Sequence, residues 1–318
     1  MSNKHPIIAL TGSAGAGTST LKTVIHKLFK RKNINPTFVL GDSFRQYDFK
    51  TWDETFAQYA EEGEFISHFG PEANQFKKLE HLFHTYSSTG SGEIRHYLQS
   101  SKLASKYQKP KGCFSDYEPI PEDSDVLLYD GFHGGLVTGG WSRRELSKSH
   151  NPTVQALRDR ESTSEAESVD VAQHVDLLVG VTPSMNLEWI QKIHRDVNVT
   201  KIAPELVSDA ILRRMPDYIQ YIIPQFSITD INFQRVPLVD TSNPFIARDI
   251  PSMDESMVIT RFREPAKHNF PKLLATIEGS FMSRPNTIVI PGCEFEYAIM
   301  EIFEPILDQL FEGKSGLM

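Results

Sequence analysis

The chain has 318 residues, 39% of them hydrophobic and 23% charged, which is enough apolar content for one large α/β domain or two small ones. A net charge of −8 with a pI near 5.8 disfavours nonspecific nucleic-acid binding. No apolar run approaches the roughly 20 residues of a membrane span, the N-terminal MSNKHPIIALTG is too short in its apolar part for a signal peptide, and Cys113 and Cys293 lack metal-ligand spacing, so the expectation is a cytoplasmic protein with two structural thiols, no nucleic acid and no membrane partner.

Ile7 to Leu21, IIALTGSAGAGTSTL, reads as strand, glycine-rich turn and helix. Gly12, Gly15 and Gly17 permit backbone angles and close approaches that a side chain would block. The N–H groups of Gly12, Ser13, Ala14, Gly15, Ala16, Gly17, Thr18, Ser19 and Thr20 are therefore candidates to converge on a polyphosphate at a helix N-terminus. The bland alternative is a tight structural turn. Ser19 stands where a hydroxyl reaches Mg²⁺, but the usual pattern G-x-x-x-x-G-K-[ST] has lysine where this chain has Thr18, so the missing cation must come from elsewhere.

Leu21, Val24, Ile25, Leu28 and Phe29 recur at helical spacing between Thr18 and Arg31. TFVLGD, Thr37 to Asp42, then reads as a buried strand, parallel to the first after a right-handed crossover. Asp42 falls at its carboxyl end, where ligands bind in open α/β sheets, and is either a catalytic acid near the phosphate loop or a helix cap. Thr51 to Gly63 predicts an acidic helix, Ser67 to Asn74 interrupts it with Gly70-Pro71 turn chemistry, and a second helix follows through Leu82 and Phe83. Tyr86 to Glu118 shows little apolar periodicity. Asp125 to Gly131, DVLLYDG, is another buried strand, whose Asp130 has the placement of the acid that helps hold Mg²⁺ in phosphate-loop enzymes. His133 nearby reads as a structural turn histidine, with a base as the alternative.

From Gly139 to Ser168 the composition is polar and mixed in charge, which predicts an exposed insertion with a short helix around Thr153 to Arg160. Val175 to Val181 returns to the sheet, and Asn186 to Asp196 is a helix with Lys192, Arg195 and Asp196 on one side of its last turns. That cluster is either a solvated helix end or the cations of a phosphoryl-transfer site lacking its loop lysine. Pro204 starts a helix containing Arg213 and Arg214, which Pro216 ends or kinks. The strand-like runs INFQRVPLVD, SMVITRF and NTIVI follow, with the prolines from Val236 to Pro244 arguing for an edge strand or a loop. A final helix, Phe295 to Phe311, is apolar on one face and has a kink expected at Pro305. The expected organisation is one domain over 1–318 with a polar insertion at about 139–168.

Six stretches together carry a resemblance over nearly the whole chain: KHPIIALTGSAGAGTST, GDSF at Gly41, SHFGPEAN, YDGFHGG, NLEWIQKIHRD and TDINFQRVPLVDTSNPFIAR, Thr229 to Arg248. They resemble the phosphoribulokinases, in the proteobacterial branch of the phosphoribulokinase and uridine kinase family, where threonine before the loop hydroxyl is itself a trait. The resemblance implies a P-loop kinase-type α/β fold, a mixed and mostly parallel sheet flanked by helices. It also implies transfer of the ATP γ-phosphoryl group to the 1-hydroxyl of ribulose 5-phosphate, with Mg²⁺. Asp42 then looks like the base, Asp196 and Asp130 like metal-site or transition-state carboxylates, and Lys192 and Arg195 like cations over the transferring group, Lys192 replacing the loop lysine.

The sugar side departs from the family pattern, with Arg45 in the place of a histidine, Gln46 and Phe49 in those of arginines and Asp53 where a lysine can stand. Arg45, Lys50, Lys201, Arg213 and Arg214 remain as substrate-binding cations. Two other readings stay open: a kinase of the same family acting on a different small alcohol, and a non-catalytic nucleotide sensor, against which Ser19, Asp42, Asp130 and Asp196 argue. The resemblance also carries expectations of a homo-oligomer and of NADH as an effector, with Arg31 or Arg248 among its cations, but no plant-type redox switch, because the phosphate loop has no cysteine.

Overall fold

Every residue of the strand Ile7–Gly12 (β1) is buried, the pattern of a strand covered on both faces. Around it the computed structural model describes residues 5–12, 17–138, 168–198, 203–245 and 249–312. After β1 come the helix Thr18–Arg31 (α1), the strand Pro36–Leu40 (β2), the helices Phe49–Glu61 (α2) and Phe76–Thr89 (α3), and the short pieces Glu93–Ile94 (β3), Ser101–Tyr107 (α4) and Glu118–Pro119 (β4). Val126–Gly131 (β5), Leu177–Pro183 (β6), Met185–Asn198 (α5), Pro204–Asp217 (α6) and Ile231–Pro237 (β7) follow. The chain closes with Ser256–Phe262 (β8), Phe270–Thr276 (α7), Phe281–Arg284 (β9), Thr287–Pro291 (β10) and Phe295–Phe311 (α8). Eight strands form one mixed sheet in the order β2-β5-β1-β6-β7-β8-β10-β9, and β3 pairs with β4 separately. The expected fold class, a P-loop kinase-type mixed sheet flanked by helices, is the one observed.

The chain divides into two compact units, one of Met1–Ala9, Pro36–Leu178 and Arg214–Ile228, the other of Leu10–Asn35, Val179–Arg213 and Thr229–Met318. In the first, β2 and β5 run parallel from Pro36↔Val126 to Leu40↔Asp130. Phe76, Leu79, Leu82, Phe83 and Tyr86 form one stripe of α3 and are buried in the same cluster as Val39, Leu127 and Tyr129 of the strands. Phe83 meets Tyr129 edge-on at 5.4 Å, a favoured aromatic geometry. Gly90 ends α3 in the left-handed conformation (φ 73°) that glycine adopts without strain.

In the second unit β6 and β7 are parallel, while β7/β8, β8/β10 and β10/β9 are antiparallel. The apolar stripe of α1, Leu21 to Phe29, packs with α8, whose Phe295, Ala298, Ile299, Ile302, Phe303 and Leu307 are buried. Ion pairs flank this contact, Lys27–Glu296 and Arg31–Glu304 at 2.5 Å each and Lys32–Asp308. Their carboxylates are half-exposed, so each contributes about 1 kcal/mol or less and the apolar stripes carry the adhesion.

Of the two alternatives for Val236 to Pro244, the loop holds from Leu238 onward, while Val236 and Pro237 close β7, an interior strand in which Pro237 still pairs in register with Ser256 of β8. Pro216 stands one residue before the end of α6 at Asp217, close to where the sequence places the helix end. It lies within α6, which continues into a π-helical turn at Tyr218–Ile222 and a tighter turn at Ile223–Ser227. The polar insertion and its short helix fall in 139–167, outside the described residues apart from Ser168. Cys113 and Cys293 are free thiols, and among the described residues no helix is long and apolar enough to cross a membrane.

His133 is buried against Phe76, and its Nε2 lies 3.0 Å from the Phe69 carbonyl oxygen. A carbonyl only accepts, so Nε2 carries the proton. Burial pushes this histidine from 6.5 down to about 4, which means the unfolded chain binds a proton that the folded one rejects. Stability is therefore complete above pH 6.5 and falls as pH drops towards 4, by up to about 3 kcal/mol in all. Urea unfolding at pH 7 and pH 5 should show the wild type losing more stability than His133→Gln. Equal losses in the two proteins would contradict this.

Candidate active site

The end of β1 and the start of α1 belong to the second unit. A Cβ on Gly12 would lie 2.1 Å from the Val181 carbonyl oxygen, so only glycine lets β1 end where it does. Gly17, at φ 112°, precedes α1 with no side chain capping the helix and no acidic residue in its first turn. The N–H groups of Thr18, Ser19 and Thr20 and the positive end of the helix dipole are thus left for an anion. Ser19 is exposed there, and Ser13, Ala14, Gly15 and Ala16 lie outside the described residues.

Helix α5 brings Lys192, Arg195 and Asp196 together at positions i, i+3 and i+4. Lys192 Nζ pairs with Asp196 Oδ2, and Arg195 Nε donates to Asp196 Oδ1 at 3.1 Å. Burial alone would raise the Asp196 carboxyl, but the bonds from Lys192 and Arg195 outweigh it and hold it below the usual carboxylate range. The side chains of Lys192 and Asp196 are only 20% and 14% exposed, which argues against a plain solvated helix end. Burying charges of this kind is costly unless they stay paired.

Asp42 and Asp130 belong to the first unit. Gly41 and Gly131 follow closely on the paired ends of β2 and β5. A Cβ on Gly41 would lie 2.7 Å from the Tyr129 hydroxyl and 2.9 Å from Gly131 Cα, so side chains here would push the two strand ends apart. Asp42 sits in a tight turn, Gly41–Phe44, that directly continues β2, and Asp130 is the register partner of Leu40. The helix-cap alternative for Asp42 finds no bond. Its Oδ1 meets Arg45 Nη2 at 2.7 Å, and the Arg45 guanidinium stacks 5.0 Å over the Tyr97 ring.

The remaining sequence candidates are dispersed. Lys50 is exposed, 3.8 Å from Glu54, and Arg213 is exposed, 3.8 Å from Asp209, while Arg214 is half-buried. Lys201 and Arg248 lie outside the described residues. Arg31 is engaged by Glu304.

Three cations near the Asp42 turn went unnoticed in the sequence. Lys77 and Lys78, in the first turn of α3, line a cleft of about 850 Å³ together with Gln46, Gln75, Gln220 and Tyr221. Arg95 is the third and bonds to the turn itself. No spacing signal marks any of the three, since each acts through chain segments distant in sequence.

A mixed, mostly parallel sheet flanked by helices, in which β1 ends in glycine ahead of an uncapped helix N-terminus, is the arrangement of a P-loop kinase fold. The family model "Phosphoribulokinase / Uridine kinase family" matches residues 7–146 and 162–242, and the chain belongs to that family. It is 45% identical to a phosphoribulokinase of Sinorhizobium medicae, with all of both chains covered, and 44% identical to one of Nitrobacter vulgaris, with 99% of each covered. The solved phosphoribulokinase from Rhodobacter spheroides superposes with a TM-score of 0.81 at 40% identity, covering 98% of this chain and 99% of that one.

Proposed function

We propose that this protein is a phosphoribulokinase, transferring the γ-phosphoryl group of ATP to the 1-hydroxyl of ribulose 5-phosphate. The observation that carries this reading is full-length identity of about 45% with proteins of that name. Asp42 takes the hydroxyl proton, the freed oxygen attacks the γ-phosphorus, and the bond to the β–γ bridging oxygen breaks to release ADP. Lys192 and Arg195 stabilise charge on the γ-oxygens as it develops, in place of the loop lysine. The backbone from Gly12 to Thr20 holds the polyphosphate.

Ser19 and Asp130 are the residues that would hold Mg²⁺, which when bound to the nucleotide neutralises phosphate charge. A nucleotide-bound Mg²⁺ needs only one or two protein ligands. That agrees with the lack, among the described residues, of any group of three or more His, Cys, Asp or Glu that could hold a metal. Arg45, Lys50, Lys201, Arg213 and Arg214 serve the sugar phosphate. A cytoplasmic homo-oligomer responsive to NADH through Arg31 or Arg248 belongs to the same reading.

A second reading, another small alcohol as acceptor, is favoured by one feature: Gln46, Phe49 and Asp53 carry no positive charge beside the Asp42 turn. The test is a panel of acceptors with ATP and Mg²⁺: ribulose 5-phosphate, other sugar phosphates and nucleosides. Ribulose 5-phosphate should exceed every other acceptor in kcat/KM by at least about 10²-fold, the scale on which a site built for one set of polar groups rejects another. A better rate with another alcohol would establish the second reading, and nucleotide binding without turnover would establish a sensor.

A further inference from the structure

Arg95 follows β3 in a narrow antiparallel ribbon. Glu93 and Ile94 pair with Pro119 and Glu118, the His96 N–H donates to Ser115 Oγ at 2.8 Å, and Tyr97 bridges Phe114. This ribbon has no pattern of its own that would explain an arginine. The Arg95 guanidinium carbon lies over the Phe114 ring, 3.7 Å from its centroid, and 5.6 Å from that of Tyr117. Its Nε donates to the Ser43 carbonyl at 2.9 Å and its Nη2 to the Arg45 carbonyl at 2.7 Å. Among the described residues no carboxylate pairs with it, although burial pulls its pKa down and so disfavours its charge. Both hydrogen bonds of this costly cation go to the turn that carries Asp42 and Arg45.

We propose that Arg95 is a positioning residue, clamping the backbone of residues 43–45 so that the Asp42 carboxylate and the Arg45 guanidinium are held in their working places. The proposal rests on the reading of Asp42 as the base. The clamp has two jaws. The segment before α3 bonds the same stretch independently, Gln46 N–H to the Ala73 carbonyl and Gln75 N–H to the Phe44 carbonyl, both at 2.8 Å. From the ribbon come Arg95 on the backbone and Tyr97 beneath the Arg45 guanidinium. A planar fork reaches two carbonyls two residues apart while its face stays on an aromatic ring. An ammonium reaches one carbonyl and stacks poorly. A turn released on one side lets the carboxylate wander, and a displacement of about 1 Å at a reacting group costs up to about 10²-fold in rate.

The test measures steady-state kinetics with the best acceptor of the panel, and ATP binding by calorimetry, for Arg95→Ala, Arg95→Lys and Asp42→Asn. Arg95→Ala should lose about 10²-fold in kcat/KM for the acceptor, and Arg95→Lys about tenfold, with ATP affinity within about twofold. Free guanidinium should restore at least tenfold to Arg95→Ala and nothing to Asp42→Asn. Acceptor kcat/KM within threefold of wild type in a folded Arg95 variant overturns the proposal. A parallel loss of ATP affinity and turnover overturns it too, since that marks a merely structural residue. If Arg95→Ala fails to fold, the same two outcomes are read from Arg95→Lys. Should Asp42→Asn stay active, the reading of the base falls instead, which separates the two failures.

Discussion

Asp42→Asn is expected to lower phosphoryl transfer by about 10²- to 10⁴-fold, the range attributed to a positioned general base, while nucleotide affinity changes by less than about twofold. The amide matches the carboxylate in shape and keeps an oxygen to accept the bond from Arg45 Nη2, so the turn Gly41–Phe44 should persist. What it lacks is the capacity to take a proton. Asp196 is the competing base, and its structure distinguishes it. It is held by Lys192 and Arg195, so Asp196→Asn uncouples a largely buried lysine and should also lower thermal stability and alter the dependence on Mg²⁺. Rates and melting curves for the two variants, measured side by side, assign the roles. Near-normal turnover with Asp42→Asn would sink the assignment.

Lys192→Met should reduce kcat by about 10²- to 10³-fold, comparable with removal of one donor to a developing oxyanion, and affect ATP binding far less. The backbone amides before and within the first turn of α1 would still hold the polyphosphate, whereas the lost ammonium acts on charge that appears only in the transition state. Part of any fall in stability would come from Asp196, which loses the Lys192 ammonium while Arg195 still donates to it. Single-turnover rates together with nucleotide titrations separate these effects. An unchanged kcat would show that Lys192 does not stand in for the loop lysine.

The parts of the fold legible in the sequence were those where one residue pattern answers to one packing surface. The stripe Leu21 to Phe29 reads directly as α1, Phe295 to Phe311 as α8, and the all-apolar starts of β1 and β5 as buried strands. The ribbon of β3 and β4 and the helix α4 were not legible. Helix α4 buries none of its residues and is set by the Ser100 side chain accepting from the Leu103 N–H, so it has no periodicity to read. Proline marked element ends to within a residue, since Pro237 closes β7 and Pro216 precedes the last residue of α6, but it did not tell an interior strand from an edge.

Among the site candidates, the placement of Asp42 and Asp130 at strand ends was legible, and so was the Lys192–Asp196 pairing, because i and i+4 share a helix face. Arg95 was not. Its partners are two backbone carbonyls and two rings from other segments, and neither kind of contact leaves a spacing signature.

Phosphorus NMR of the reaction with ATP, Mg²⁺ and ribulose 5-phosphate tests the central reading most directly, since it reports both the transfer and the position of the new ester. The account predicts ADP together with one new phosphomonoester, coupled to two equivalent or near-equivalent methylene protons at carbon 1, and no accumulation of inorganic phosphate. A new ester on a secondary hydroxyl, ADP formed only with inorganic phosphate, or a silent spectrum from protein that phosphorylates a different alcohol would contradict it.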